Sequence, residues 1–204
     1  METSSSEVQY RNGRQEDCAA MAELIRMAAG GTVDFLFRDL VAGLSPVAVV
    51  AQNLAKNHYP HGYAQTIVAT RAGMVAGMAL SFPARCHRIT EEMERFFPAD
   101  RMAHMREFFS ARVENSWFLD ALGVFADHRR QGIGRGLIER VRSRAAADGY
   151  RQLSLIVFAD NGPALSLYAA AGFRVVRPVP LAGNAEIPHQ GGCLLMVSDM
   201  EGGA

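Results

Sequence analysis

The chain has 204 residues, of which 49% are hydrophobic and 21% charged, enough apolar mass for one α/β domain with a sizeable core. Its 21 Lys and Arg balance 21 Asp and Glu, so it lacks the basic excess of a protein whose main partner is nucleic acid. Cys18, Cys86 and Cys193 are widely spaced with no CxxC pair, which argues against a disulfide framework or structural zinc and for a reducing cytoplasm.

METSSSEVQY has no apolar signal core, and residues 1–7 read as a frayed tail. The longest apolar run, LVAGLSPVAVVA from Leu40, is broken by Pro46 and falls short of the roughly 18 residues that a membrane span needs. VQYRNG reads as a short first strand. Asp17 opens a helix, DCAAMAELIRMAAGG, with Met21, Leu24 and Ile25 on one face and Gly30 and Gly31 as its stop. Residues 33–58 read as further helix with a break near Pro46. QTIVATRAGMVAGMALSF is two apolar runs around RAG, a hairpin with a glycine turn.

Residues 84–115 differ in character and are expected to be a helical insertion. Thr90 caps TEEMERFF, and DRMAHMREFFSARV carries Met102, Met105, Phe109 and Val113 at helical spacing. SWFLDALGVF follows as a strand, GLIERVRSRAAADG as an amphipathic helix, and QLSLIVF as a buried strand. A short helix, NGPALSLYAAAG, and two strands, FRVVRPV and GGCLLMVSDM, complete a chain with no repeat and no linker. It is expected to be one domain over 1–204.

The segment VFADHRRQGIGRGL, residues 124–137, sets Arg129, Arg130 and Arg135 around Gly132, Gly134 and Gly136 between a strand and a helix. Glycine costs roughly 1 kcal/mol in a helix. Its gain here is that bare N–H groups at a helix start can close around an anion. No GxxxxGK[ST] string exists, and G-I-G-R-G is not the dinucleotide-fold G-x-G-x-x-G. Close packing of a glycine turn is the bland alternative.

LGVFADHRRQGIGRGLIERV resembles the acyl-CoA-binding motif of the GCN5-related N-acetyltransferases (GNAT). Arg129, Gly132 and Gly134 stand at its fixed positions, and Ala126 stands where the family often has proline. LSLIVFADNGPALSLYAAAGF is similar to the family's second motif, matched by Asn161, Ala164, Tyr168, Gly172 and Phe173. The resemblance is strong over residues 116–176.

The resemblance implies a mixed, mostly antiparallel sheet of six or seven strands flanked by helices, with the insertion before the central strand. It implies acetyl-CoA as co-substrate, its pantetheine arm along Leu122, Gly123 and Val124. The pyrophosphate would lie on the loop of Arg129, Arg130, Gln131, Gly132, Ile133, Gly134, Arg135 and Gly136, with Asn161 and Ala164 also against the cofactor. The implied reaction is direct acyl transfer to a primary amine, with Tyr168 as proton donor to the leaving thiolate.

Asp120, a charge inside a strand, is the first candidate for general base. It shares an alternation face with Leu122 and Val124 unless a bulge intervenes. Glu114 is the second candidate. His58, His61, His87, His104, His128 and His189 lack metal-ligand spacing and read as loop or surface residues, although His128 lies beside the glycine loop. The acceptor pocket is expected from residues 32–62, with Phe35, Phe37, Tyr59 and Tyr63, and from the insertion, which covers the acceptor side or forms a homodimer contact. The acceptor itself, whether small amine, peptide or protein, stays open. The alternative of another class is a non-catalytic acyl-CoA sensor on the same fold.

Overall fold

Seven strands form a single sheet in the computed structural model, which describes residues 7–200; of the tail expected at residues 1–7, all but Glu7 lies outside the described residues. The strands are β1 (Gln9–Asn12), β2 (Thr66–Arg71), β3 (Met74–Pro83), β4 (Trp117–Val124), β5 (Gln152–Phe158), β6 (Arg174–Val179) and β7 (Cys193–Asp199). Their order is β1-β2-β3-β4-β5-β7-β6, every pairing antiparallel except β4 with β5. This is the mixed α/β sheet expected, with seven strands rather than six. Ala72 and Gly73, at φ 48° and 80°, make the two-residue turn of the β2–β3 hairpin.

One face of the sheet carries α7 (Ile133–Ala147) and α8 (Gly162–Ala170). Leu137, Ile138, Val141 and Ala145 of α7 pack on Ile67, Ala79, Trp117, Leu119 and Leu153. The 3.6-residue spacing of those four side chains is why this segment is a helix with one buried face. The other face has two covers. Over β2–β4 lie α1 (Cys18–Ala28) and α3 (Pro46–Ala55), where Met21, Leu24, Val50 and Leu54 meet Val68, Met78, Phe82 and Phe118. The predicted break near Pro46 is the start of α3. Ser45 accepts the Ala48 N–H at 3.2 Å, and Pro46 takes the first turn, where its missing N–H costs nothing.

The second cover is built from α2 (Thr32–Phe37), the insertion helices α4 (Glu91–Phe96), α5 (Ala99–His104) and α6 (Arg106–Ser110), and the β6–β7 connection. Met102, Met105, Leu36, Leu181 and Ile187 pack there on Phe158, Cys193 and Leu195. The periodic stretch from Asp100 is two short helices rather than one. The chain breaks at Met105, and Val113 lies past the last turn. Packing overrides the pattern here: the break lets Met102 and Met105 both reach the same cluster. No helix of the described residues is long and apolar enough to cross a membrane.

Gly30 and Gly31, at φ 54° and 94°, join α1 to α2 where the β6–β7 connection crosses them. A Cβ on Gly31 would lie 1.7 Å from the Glu186 carbonyl oxygen, and one on Gly30 would lie 2.5 Å from the His189 ring and from Phe158. Gly31→Ala is therefore expected to destabilise the fold by at least about 2 kcal/mol, from left-handed strain plus displacement of the connection. The melting temperature should drop by about 4–8 °C. An unchanged melting temperature would show that the connection does not rest on this turn.

Candidate active site

β4 and β5 run side by side for only three register pairs, Trp117 with Leu153, Phe118 with Ser154 and Leu119 with Leu155. Beyond them the strands part. β4 continues to Val124 bonded only to β3, and β5 continues to Phe158 bonded only to β7. A bulge marks the parting: Leu80 faces Ala121 and Ser81 faces Leu119, so Asp120 is the extra residue. The bulge reverses the expected alternation. Leu122 and Val124 lie with Trp117 and Leu119 against the α7 face, whereas Asp120 acts on His87, which stacks on Phe118 of the opposite face.

The free edge of β4 presents unused backbone groups. The Phe125 N–H donates to Ala76 O at 3.0 Å, and antiparallel alternation then turns the N–H and C=O of Leu122 and Val124 toward the gap. One of these, Val124 O, accepts from Arg129 Nε at 3.0 Å. Arg129 thus ties the strand end to the loop that follows.

That loop enters α7 through Arg130 at φ 57° and Gly132 at φ 80°. The backbone N–H groups from Arg130 to Arg135 have no hydrogen-bond partner among the described residues, whereas Gly136 N–H already donates to Gly132 O at 2.9 Å. The open donors therefore end at Arg135. The three glycines have separate reasons. Gly132 needs the left-handed conformation. Gly134 is crowded: a Cβ there would lie 3.1 Å from Leu167 of α8 and 3.8 Å from Leu122 of β4. Gly136 admits Tyr10, whose hydroxyl would lie 2.0 Å from an added Cβ. The Gln131 side chain bridges outward to Arg71.

Gly134 thus marks where the loop, β4 and α8 meet. The start of α8 is capped by Asn161, whose Oδ1 accepts the Ala164 N–H at 3.3 Å, leaving the amide NH2 as a donor. Ala164 packs beside Leu122 and Val124 in the α7-side cluster. One turn on, the Tyr168 ring is buried against Phe173 at 5.6 Å, edge to face. Its hydroxyl bonds to no described residue, and it is not sealed among the buried unpaired atoms. Burial pushes its pKa up to about 12, so it stays protonated through the neutral range.

On the opposite face Asp120 is exposed, two residues beyond the buried Phe118. Glu114 lies in the loop after α6, exposed and paired with Arg112 at 2.7 Å. His87 lies in a loop, as expected, but not at the surface. It is 2% exposed, stacked on Phe118 at 4.2 Å, and its Nε2 lies 3.0 Å from Phe108 O. Nothing in RCHRIT signals this, because the contacts come from residues more than twenty positions away. The remaining histidines divide between roles. His104 bonds Ala182 O at 2.9 Å, and His189 meets Asp160 at 2.6 Å while stacking on Phe158 at 3.8 Å. The Nδ1 of His128 is buried without a partner.

Burial holds the His87 pKa below its usual value, with Asp120 opposing the shift. The unfolded chain then binds a proton, at pH below about 6.5, that the folded chain refuses. Stability from this group is full above that pH and falls as pH drops toward the folded pKa. Between pH 7 and 5 the melting temperature is expected to fall more steeply in the wild type than in His87→Phe. Equal slopes would remove His87 from the acid response.

Known proteins share this fold. The sequence profile described as the Acetyltransferase (GNAT) family matches residues 44–173. An acetyltransferase crystal structure shares 26% identity and a TM-score of 0.65, covering 95% of this chain and 100% of its own. An N-acetyltransferase from Staphylococcus aureus Mu50 gives 18% and 0.67, covering 93% and 99%. The Salmonella typhimurium protein yncA, in a structure with its cofactor acetyl-CoA, gives 17% and 0.59, covering 97% and 96%. No curated protein matches the chain. The chain belongs to the acetyltransferase (GNAT) family and is an N-acyltransferase.

Proposed function

We propose that the protein transfers an acetyl group from acetyl-CoA directly to a primary amine in the gap between β4 and β5. The observation that carries this reading is the run of unpartnered N–H groups from Arg130 to Arg135 beside a strand edge that has lost its neighbour. Six donors aimed from a helix start suit a pyrophosphate. Arg129, Arg130 and Arg135 add positive potential around it, and Gly134 leaves room for the approach. Gly136 belongs to this cradle through the room it gives α7 rather than through its N–H. The Leu122 and Val124 backbone, with Gly123 between them, suits an amide-bearing arm laid as a missing strand. The free amide NH2 of Asn161 and the small Ala164 border the same arm.

Acetyl-CoA supplies an activated thioester. The amine nitrogen attacks its carbonyl carbon, the C–N bond forms, and the Val124 N–H stabilises the oxyanion. The C–S bond then breaks, and Tyr168 donates a hydrogen bond to the sulfur. Full proton transfer from a phenol at about 12 to a thiolate of about 8.5 is uphill by roughly 5 kcal/mol, so the hydroxyl serves first as a donor. Asp120, exposed at the bulge, draws the acceptor ammonium. The second cover, with the insertion and the Phe35 and Phe37 rings packed on His104 and Phe97, walls the acceptor side. Thiol release from acetyl-CoA on addition of a panel of α- and ε-amines tests the reaction. Binding of acetyl-CoA without thiol release for any amine would favour a sensor instead.

A further inference from the structure

The acceptor side of the bulge carries one buried titratable group that the mechanism leaves unused. His87 follows β3, and its Nε2 faces the Phe108 carbonyl at 3.0 Å. A carbonyl only accepts, so Nε2 carries the proton and the neutral ring keeps its lone pair on Nδ1. That second nitrogen has no partner among the described residues and is not sealed among the buried unpaired atoms. The ring lies flat on Phe118, at 4.2 Å and 29°, and Asp120, two residues along that strand at the bulge, is close enough to act on it electrostatically. A structural staple between the two ends of the insertion needs Nε2 alone.

We propose that His87 is the general base of the acceptor half-site, its Nδ1 taking the proton that the acceptor nitrogen loses, directly or through one water, with Asp120 stabilising the resulting imidazolium. This rests on the acyl-transfer reading of the same gap. The balance is complete. The ammonium gives one proton to Nδ1, the amine forms the C–N bond, and as the C–S bond breaks the nitrogen loses a second proton, which ends on the departing thiolate, while the third stays on the amide. One proton passes to solvent from the imidazolium. The charged groups acting on His87 from its surroundings are Asp120 on β4, His61 before β2 and Arg112 after α6. Burial first, then His61 and Arg112, hold the resting ring neutral, while Asp120 and the hydrogen bond with the Phe108 carbonyl favour the imidazolium.

The test is His87→Gln, whose amide can still donate to Phe108 O. Thiol release from acetyl-CoA would be followed from about pH 5.5 to 9.5, with water as the acceptor and then with glycinamide. The wild-type rate is expected to rise through one ionisation at or below about 6.5 and level off. The variant should lose at least about 50-fold at pH 7, regain most of it by pH 9.5, and bind acetyl-CoA within about twofold of wild type. Loss that is equal at every pH, or no loss, would overturn the proposal. Should the variant not fold, 15N spectra of the wild-type histidines decide: an Nδ1–H tautomer for His87, or a ring pKa unmoved by Asp120→Asn, overturns it too. Absence of thiol release from wild type at every pH counts instead against the acyl-transfer reading.

Discussion

Gly134→Glu is expected to weaken acetyl-CoA binding at least about 100-fold without unfolding the protein. An added carboxylate about 5 Å from a phosphate charge costs roughly 3 kcal/mol at an effective dielectric constant near 20. That alone is more than a hundredfold in affinity. The side chain would also enter the space between Leu122 and Leu167, where a Cβ already stands 3.1 Å from Leu167. The contact is to the flexible end of a leucine, so the helix survives, and an acid in the first turn of α7 suits its dipole. Calorimetric titration against acetyl-CoA, with a melting curve as control, reads both effects. Wild-type affinity in a folded Gly134→Glu protein would place the pyrophosphate elsewhere.

Tyr168→Phe is expected to lower kcat by about 100-fold or more, in the range set by loss of one hydrogen-bond donor aimed at developing negative charge. The KM for acetyl-CoA should stay within about threefold, because the hydroxyl matters only as charge builds on sulfur. Stability should hold or rise slightly. The ring keeps its place against Phe173, and the hydroxyl bonds to no described residue. Stopped-flow thiol detection at saturating acetyl-CoA separates these quantities. Equal turnover in Tyr168→Phe would leave the phenol as a core aromatic and nothing more.

Much of this site was legible in the residues because its parts are local. The glycine loop, the Asn161 cap and Tyr168 lie in two short stretches, and the strands beside them are mostly apolar runs. Less legible was anything that depends on two distant segments. The bulge at Asp120 is a register shift against β3, and a single strand carries no sign of it. Gly136 reads as one more phosphate glycine until β1 is in place and Tyr10 occupies the space beside it. His87 reads as a loop residue because the groups that bury it, Phe108 and Phe118, arrive from the far end of the insertion and from β4. The insertion misled in a smaller way. Helical periodicity through Met102, Met105 and Phe109 is real, but short helices bend to reach a shared cluster.

The central claim is that the start of α7 and the free edge of β4 form an acetyl-CoA site. Its most direct test is the melting temperature with acetyl-CoA, CoA, NAD and ATP, each at about 1 mM, where a ligand at a hundred times its Kd stabilises by about 2.7 kcal/mol. For a chain of this length that is about 5–10 °C. The account predicts such a rise with acetyl-CoA and CoA, little with NAD or ATP, and none with acetyl-CoA in Gly134→Glu. No rise with either CoA species, or an equal rise with all four, would contradict it.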